Sequence, residues 1–220
     1  MRYIELEKYL FEISDAKFAS FSKSLSNSDY ISIGVKNPKL REIIKEHKDD
    51  EELKLSDFKL GKYLEVDFIY FGLALSRLKT SDTQLDFLVK NIKFAKSWAI
   101  TDCVSTFIKK VTFEQTYEFF IKMYNTNYTY ERRMAYILAL KQYKNKEVLK
   151  VLPLIKLNEE YMVMMAEAWL LATVAIEYEN EVFDYLKAID DITLKRKTIS
   201  KICDSYRFDD VSKDKFKSLR

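Results

Sequence analysis

Three glycines and two prolines in 220 residues leave this chain few points at which it can turn sharply or break a helix. Globular chains carry roughly 12% of the two together. Turns that need positive φ must be few, and the chain is therefore expected to be all-α. The apolar pattern agrees. In VDFIYFGLALSRL, Phe68, Phe71, Leu75 and Leu78 recur at three- and four-residue spacing, the period of one helix face. In ERRMAYILALKQY, the set Met134, Ile137, Leu138 and Lys141 starts apolar and ends wet. Helix starts are signalled by Ser81-Asp82, by Ser97 and by Asn158, each before a helical apolar run.

The expected helices fall in pairs: 64–79 with 82–91, 97–110 with 113–125, 128–143 with 146–156, 159–177 with 180–188, and 192–205 with 209–218. Their first members start about 32 residues apart. A helix pair at that interval predicts a solenoid of HEAT-like or armadillo-like repeats. One pair cannot bury its own apolar face, so neighbours stack into a right-handed superhelix with a concave surface. Residues 1–60 fit the period less well. Helices are expected near 3–13, 15–24 and 38–48, then a polar linker through Gly61, so this part reads as an irregular cap. The whole of 1–220 is expected to form a single domain, with about five pairs over 61–220.

Composition closes off several classes of function. No stretch approaches the roughly 20 apolar residues of a membrane span, and MRYIELEKYLFEI carries acids where a secretory signal would be apolar. A cytoplasmic location is expected. His47 is the only histidine, which excludes His-based triads and multi-histidine metal sites. Cys103 and Cys203 form no CxxC pattern, so neither metal nor cofactor is expected. Net charge is only +3, from 37 basic and 34 acidic residues. Local basic clusters stand at 141–150, 194–201 and 213–220; each alone reads as a solvated helix face.

The repeat draws four residues into one group. Trp98 stands four residues before Asp102, on the same helical face. Trp98, Arg133 and Trp169 are separated by 35 and 36 residues, close to one repeat each. Both tryptophans of the chain thus take similar places in the repeat, with an acid and a base between them. Two indoles hold a cation at roughly 0.5–2 kcal/mol each, a carboxylate stabilises positive charge in a transition state, and arginine orients that acid or grips a phosphate. Singly, each residue reads as core packing or surface charge.

The same residues carry a family resemblance. ISIGVKNPKLREIIKE, through Gly34, Pro38, Leu40, Arg41 and Lys45, resembles the GVR-x-P-x-LR-x-x-x-K stretch of the AlkD-like DNA alkylation repair proteins. SWAITDCV resembles the family's W-D-x-x-D segment, ERRMAYILALKQY its RR-x-A-I segment, and MMAEAWLL its KAIGWALR stretch. The resemblance implies a HEAT-like repeat alkylpurine DNA glycosylase acting on 3-methyladenine and 7-methylguanine without a deep base pocket. By the same resemblance Asp102 is the catalytic aspartate, Trp98 and Trp169 are the aromatic residues flanking the sugar, and Arg133 is the functional arginine. Arg132 and Lys141 are expected at the DNA with them, and the partner is double-stranded DNA bound by a monomer. Three positions depart from the family pattern: Ala99 follows Trp98, Met165 replaces a lysine, and Ala172 replaces an arginine. The alternatives are a weak or inactive family member that binds distorted or branched DNA, and a protein-interaction solenoid.

Overall fold

A computed structural model of the protein describes residues 1–26, 28–157 and 159–220. The first six helices are α1 (Tyr3–Glu12), α2 (Ala16–Ser26), α3 (Asn37–His47), α4 (Leu64–Arg77), α5 (Ser81–Asn91) and α6 (Trp98–Val104). They are followed by α7 (Phe113–Met123), α8 (Thr129–Ala139), α9 (Tyr161–Val174), α10 (Glu179–Ala188), α11 (Ile192–Asp204) and α12 (Asp210–Lys217). The fold is all-α. Among the described residues there is no β-strand, only an isolated bridge between Ile31 and Tyr63. No helix among them is long and apolar enough to cross a membrane.

Several helix starts are set by short polar side chains. Thr80, Ser97, Thr112, Asp191 and Asp209 each accept a backbone N–H of the first turn, a contribution of about 1 kcal/mol per cap. The cap before α5 is thus Thr80, one residue ahead of the Ser81-Asp82 signal. The expected start at Asn158 lies outside the described residues.

Three second halves are tighter than an α-helix. The expected helix 97–110 is α6 followed by a 3-10 turn at Ser105–Phe107. There the Ser105 and Thr106 hydroxyls bond back to Asp102 O and Cys103 O, at 2.7 Å each, a competition that disfavours continued α-helix. Helix α8 passes into a 3-10 turn at Leu140–Gln142. The expected helix 146–156 is 3-10 over Lys146–Leu154, with Pro153 inside it and so without a backbone donor there.

The chain forms two compact units, Met1–Val111 and Thr112–Arg220. In the first, Leu6 and Leu10 of α1, Ile43 and Ile44 of α3, and Phe68, Ile69 and Leu73 of α4 share one core. The stretch expected to be a polar linker joins it through Leu53 and Phe58. Arg77 fixes that stretch by donating to four carbonyls, those of His47, Lys48, Asp50 and Leu53, at 2.8–3.1 Å. These include the end of α3, where carbonyls lack helical partners. In the second unit α9 packs against both α8 and α11. Its buried set, including Val163, Ala166, Leu170, Leu171 and Val174, runs around the helix, as it must in a helix covered on several sides.

Candidate functional site

Two of the family-like stretches meet in the first unit. Gly34 has φ +98°, and a Cβ there would lie 2.2 Å from Asp15 O, so the turn needs glycine. The Glu65 carboxylate, buried on α4, accepts the N–H groups of Ile33 and Gly34 at 2.9 Å and of Val35 at 3.4 Å. Pro38 occupies the first turn of α3, where its missing N–H is harmless. Leu40 is buried, and Lys45 is exposed. Arg41 then crosses to the end of α6. Its Nη1 donates to Thr106 Oγ1 at 2.6 Å and its Nη2 to Cys103 O at 3.5 Å, with the guanidinium 5.2 Å from the Phe107 ring centroid. The first stretch therefore anchors the helix that carries the second.

On α6, Trp98 is half-buried and its indole N–H donates to Leu25 O at 3.0 Å. The ring lines a mainly apolar cavity of about 140 Å³ with Phe18, Phe21 and Phe68. Asp102 follows one turn later and is partly exposed. The Thr101 hydroxyl lies 3.1 Å from both Trp98 O and Asp102 Oδ1. Burial pushes the adjacent Cys103 thiol up, which disfavours the thiolate a nucleophile would need.

The other expected site residues belong to the second unit. Arg132 donates to Thr126 O at 2.8 Å and pairs with Glu159, at 3.3 Å, and with Glu160. Arg133 is 6% exposed, and its Nη1 donates to Met162 O at 2.5 Å. Arg132 thus holds the segment that leads into α9, and Arg133 the first turn of that helix. Lys141 is exposed on the 3-10 turn after α8. Trp169 is 40% exposed on α9. Trp98 and Asp102 share one helix of the first unit, and Arg132, Arg133 and Trp169 belong to the second.

Trp169 lines a larger cavity, about 510 Å³, whose wall includes Tyr143, Ala172, Lys201, Asp204 and Arg207. Lys201 Nζ sits 5.9 Å from the indole centroid and Arg207 Cζ 5.8 Å from the Tyr143 centroid. Sequence reasoning missed Tyr143, Lys201 and Arg207. The first two lie in the basic clusters read as solvated faces, and only the packing of α11 on α9 brings Lys201 to Trp169. Among the described residues, no group of three or more His, Cys, Asp or Glu side chains could hold a metal ion.

The first unit thus carries a carboxylate on a helix held by Arg41, and the second carries aromatic rings flanked by cations. The model of the DNA alkylation repair enzyme family matches residues 6–202, and the chain belongs to that family. The fold is similar to the structure of a predicted DNA alkylation repair enzyme from Enterococcus faecalis. That likeness has a TM-score of 0.66 at 15% identity, covering 87% of this chain and 98% of the other. No curated protein matches the sequence.

Proposed function

We propose that the protein is a DNA glycosylase that hydrolyses the N-glycosidic bond of cationic alkylated purines, 3-methyladenine and 7-methylguanine, in double-stranded DNA. The observation that carries this reading is Asp102, a partly exposed carboxylate on a helix held by Arg41, one turn from Trp98. An alkylated purine cation leaves without a general acid, because the departing electron pair neutralises it. The barrier lies in the oxocarbenium character of the sugar, which a single carboxylate can stabilise. At about 4 Å and an effective dielectric near 20, the Coulomb gain is about 4 kcal/mol, roughly a thousandfold in rate. Asp102 also orients the water that adds to C1′ and accepts its proton.

Trp98 and Trp169 are read as the aromatic residues that contact the strand. Arg133 acts here as a positioning residue, since it holds the first turn of the Trp169 helix. Lys141, exposed on its short turn, is read as a phosphate contact. The helix pairs are read as HEAT-like repeats, and the active form as a monomer.

The test is release of 7-methylguanine from methylated duplex DNA. Wild type should release base well above the buffer blank, and Asp102→Asn should lose roughly a thousandfold. A wild type equal to the blank, or an Asp102→Asn variant at full rate, overturns the reading. Salt-sensitive duplex binding without any base release would instead favour a non-catalytic DNA binder.

A further inference from the structure

The 510 Å³ cavity of the second unit joins Trp169 to groups that the glycosylase reading does not use. Its volume falls in the usual range for small-ligand sites, roughly 300–1,000 Å³. Its wall combines two aromatic rings, two cations and one carboxylate, Asp204. Ala172 lines it. This is the position where the family pattern carries an arginine, and here a small side chain leaves the space open. The positive charge comes from elsewhere, Lys201 on α11 and Arg207 just beyond it.

We propose that this cavity binds one unpaired nucleotide of a DNA strand. The base lies against Tyr143 and Trp169, the adjoining phosphate is held by Lys201 and Arg207, and Asp204 accepts an N–H of the base edge. The inference rests on the reading that DNA is the partner, and it adds a site for an unpaired nucleotide to it. Both cations lie over the rings near the 6 Å limit of cation–π contact. A phosphate binds such cations more strongly through charge-assisted hydrogen bonds. Moving them onto a phosphate uncovers the two ring faces for a base, whose stacking needs no particular sequence. A purely apolar ligand would leave Lys201, Arg207 and Asp204 without a role, and a free phosphate would leave the rings without one.

The experiment compares binding of a labelled duplex carrying a single-nucleotide bulge with a fully paired duplex of the same length. Wild type should prefer the bulge by about tenfold, the scale of one stacked base. Ala172→Leu adds bulk to the cavity wall and should abolish the preference while paired-duplex affinity stays within about twofold. Arg207→Gln, at an exposed position, should lower the slope of log affinity against log salt by about 0.7–0.9, one phosphate contact. Circular dichroism checks that both variants fold. No bulge preference in wild type, a preference that survives Ala172→Leu, or an unchanged salt slope in Arg207→Gln overturns the proposal. Competition by deoxyadenosine monophosphate without bulge preference would assign the cavity to a free nucleotide and also overturn it. Base release that depends on Asp102, with no bulge preference, would leave the glycosylase reading standing and remove this one. The reverse pattern would separate them the other way.

Discussion

Glu167 stands in the middle of α9 with none of its surface exposed, and neither carboxyl oxygen has a hydrogen-bond partner among the described residues. Burial pushes its carboxyl up to about 8. The Tyr136 phenol and Arg132 oppose the rise, and the acids Glu159 and Asp191 add to it. The unfolded chain gives up this proton near pH 4.5, whereas the folded chain keeps it to about pH 8. Folded protein therefore binds more protons across that window. The stabilising contribution is complete below pH 4.5 and is lost as pH rises toward 8. Over the whole window the loss is roughly 4 kcal/mol. Glu167→Gln keeps the shape without the ionisation. It should match wild type in denaturant midpoint near pH 4.5 and exceed it at pH 8. A variant that gains nothing at pH 8 contradicts this account. Nothing in MMAEAWLL marks the acid as protonated, since that state follows from burial on every side.

Helix α6 owes its position to long-range contacts rather than to its own length. Its seven residues end where the Ser105 and Thr106 hydroxyls bond back to the backbone. So short a helix has little stability of its own. Arg41 on α3 joins Cys103 O and Thr106 Oγ1 through one planar fork. Gln84 fixes the next turn, donating to Leu75 O and Phe107 O and accepting from the Lys109 N–H, at 2.7–3.0 Å. Arg41→Ala should release the end of α6 and slow base release by about tenfold, with kcat falling more than KM changes. Arg41→Lys should not restore the rate, because a point charge cannot bridge a hydroxyl and a carbonyl as the guanidinium does. Full activity in Arg41→Ala would remove this positioning role. The motif residues Gly34, Pro38 and Arg41 were visible as a pattern, but their common task of seating α3 and α6 was not.

Each of the two compact units carries its own buried acid and its own tryptophan: Asp67 and Trp98 in the first, Glu167 and Trp169 in the second. Burial pushes Asp67 up to about 6, against the hydrogen bonds it receives from Tyr30 Oη at 2.5 Å and Gly61 N at 3.0 Å. Its contribution is present below about pH 4 and is lost as pH rises to about 6. Trp169→Phe leaves Trp98 to report the first unit, and Trp98→Phe leaves Trp169 to report the second. The midpoint seen by Trp98 should fall mainly between pH 4 and 6, and that seen by Trp169 should continue to fall up to about pH 8. Identical profiles from the two reporters would show that both cores unfold in one step. The modest charge of +3 has a further consequence. Whatever basic surface meets DNA must be local, as Lys201 and Arg207 are in the pocket wall.

What the sequence determined by itself was local. The scarcity of glycine and proline and the three- and four-residue apolar period implied an all-α chain, and most helix bounds fall within two or three residues of their expected places. Short-range sterics and the period of one helix carry that information, so one string of residues suffices. The same is true of Trp98 beside Asp102, four positions apart on one helix. The tertiary structure decided whatever depends on neighbours distant in the chain. It committed Arg132 to Glu159 and Glu160, turned the Trp98 indole toward Leu25, protonated Glu167, and set Lys201 over Trp169. Desolvation and ion pairing act through space, and their outcome depends on which side chains surround a residue once the helices have packed.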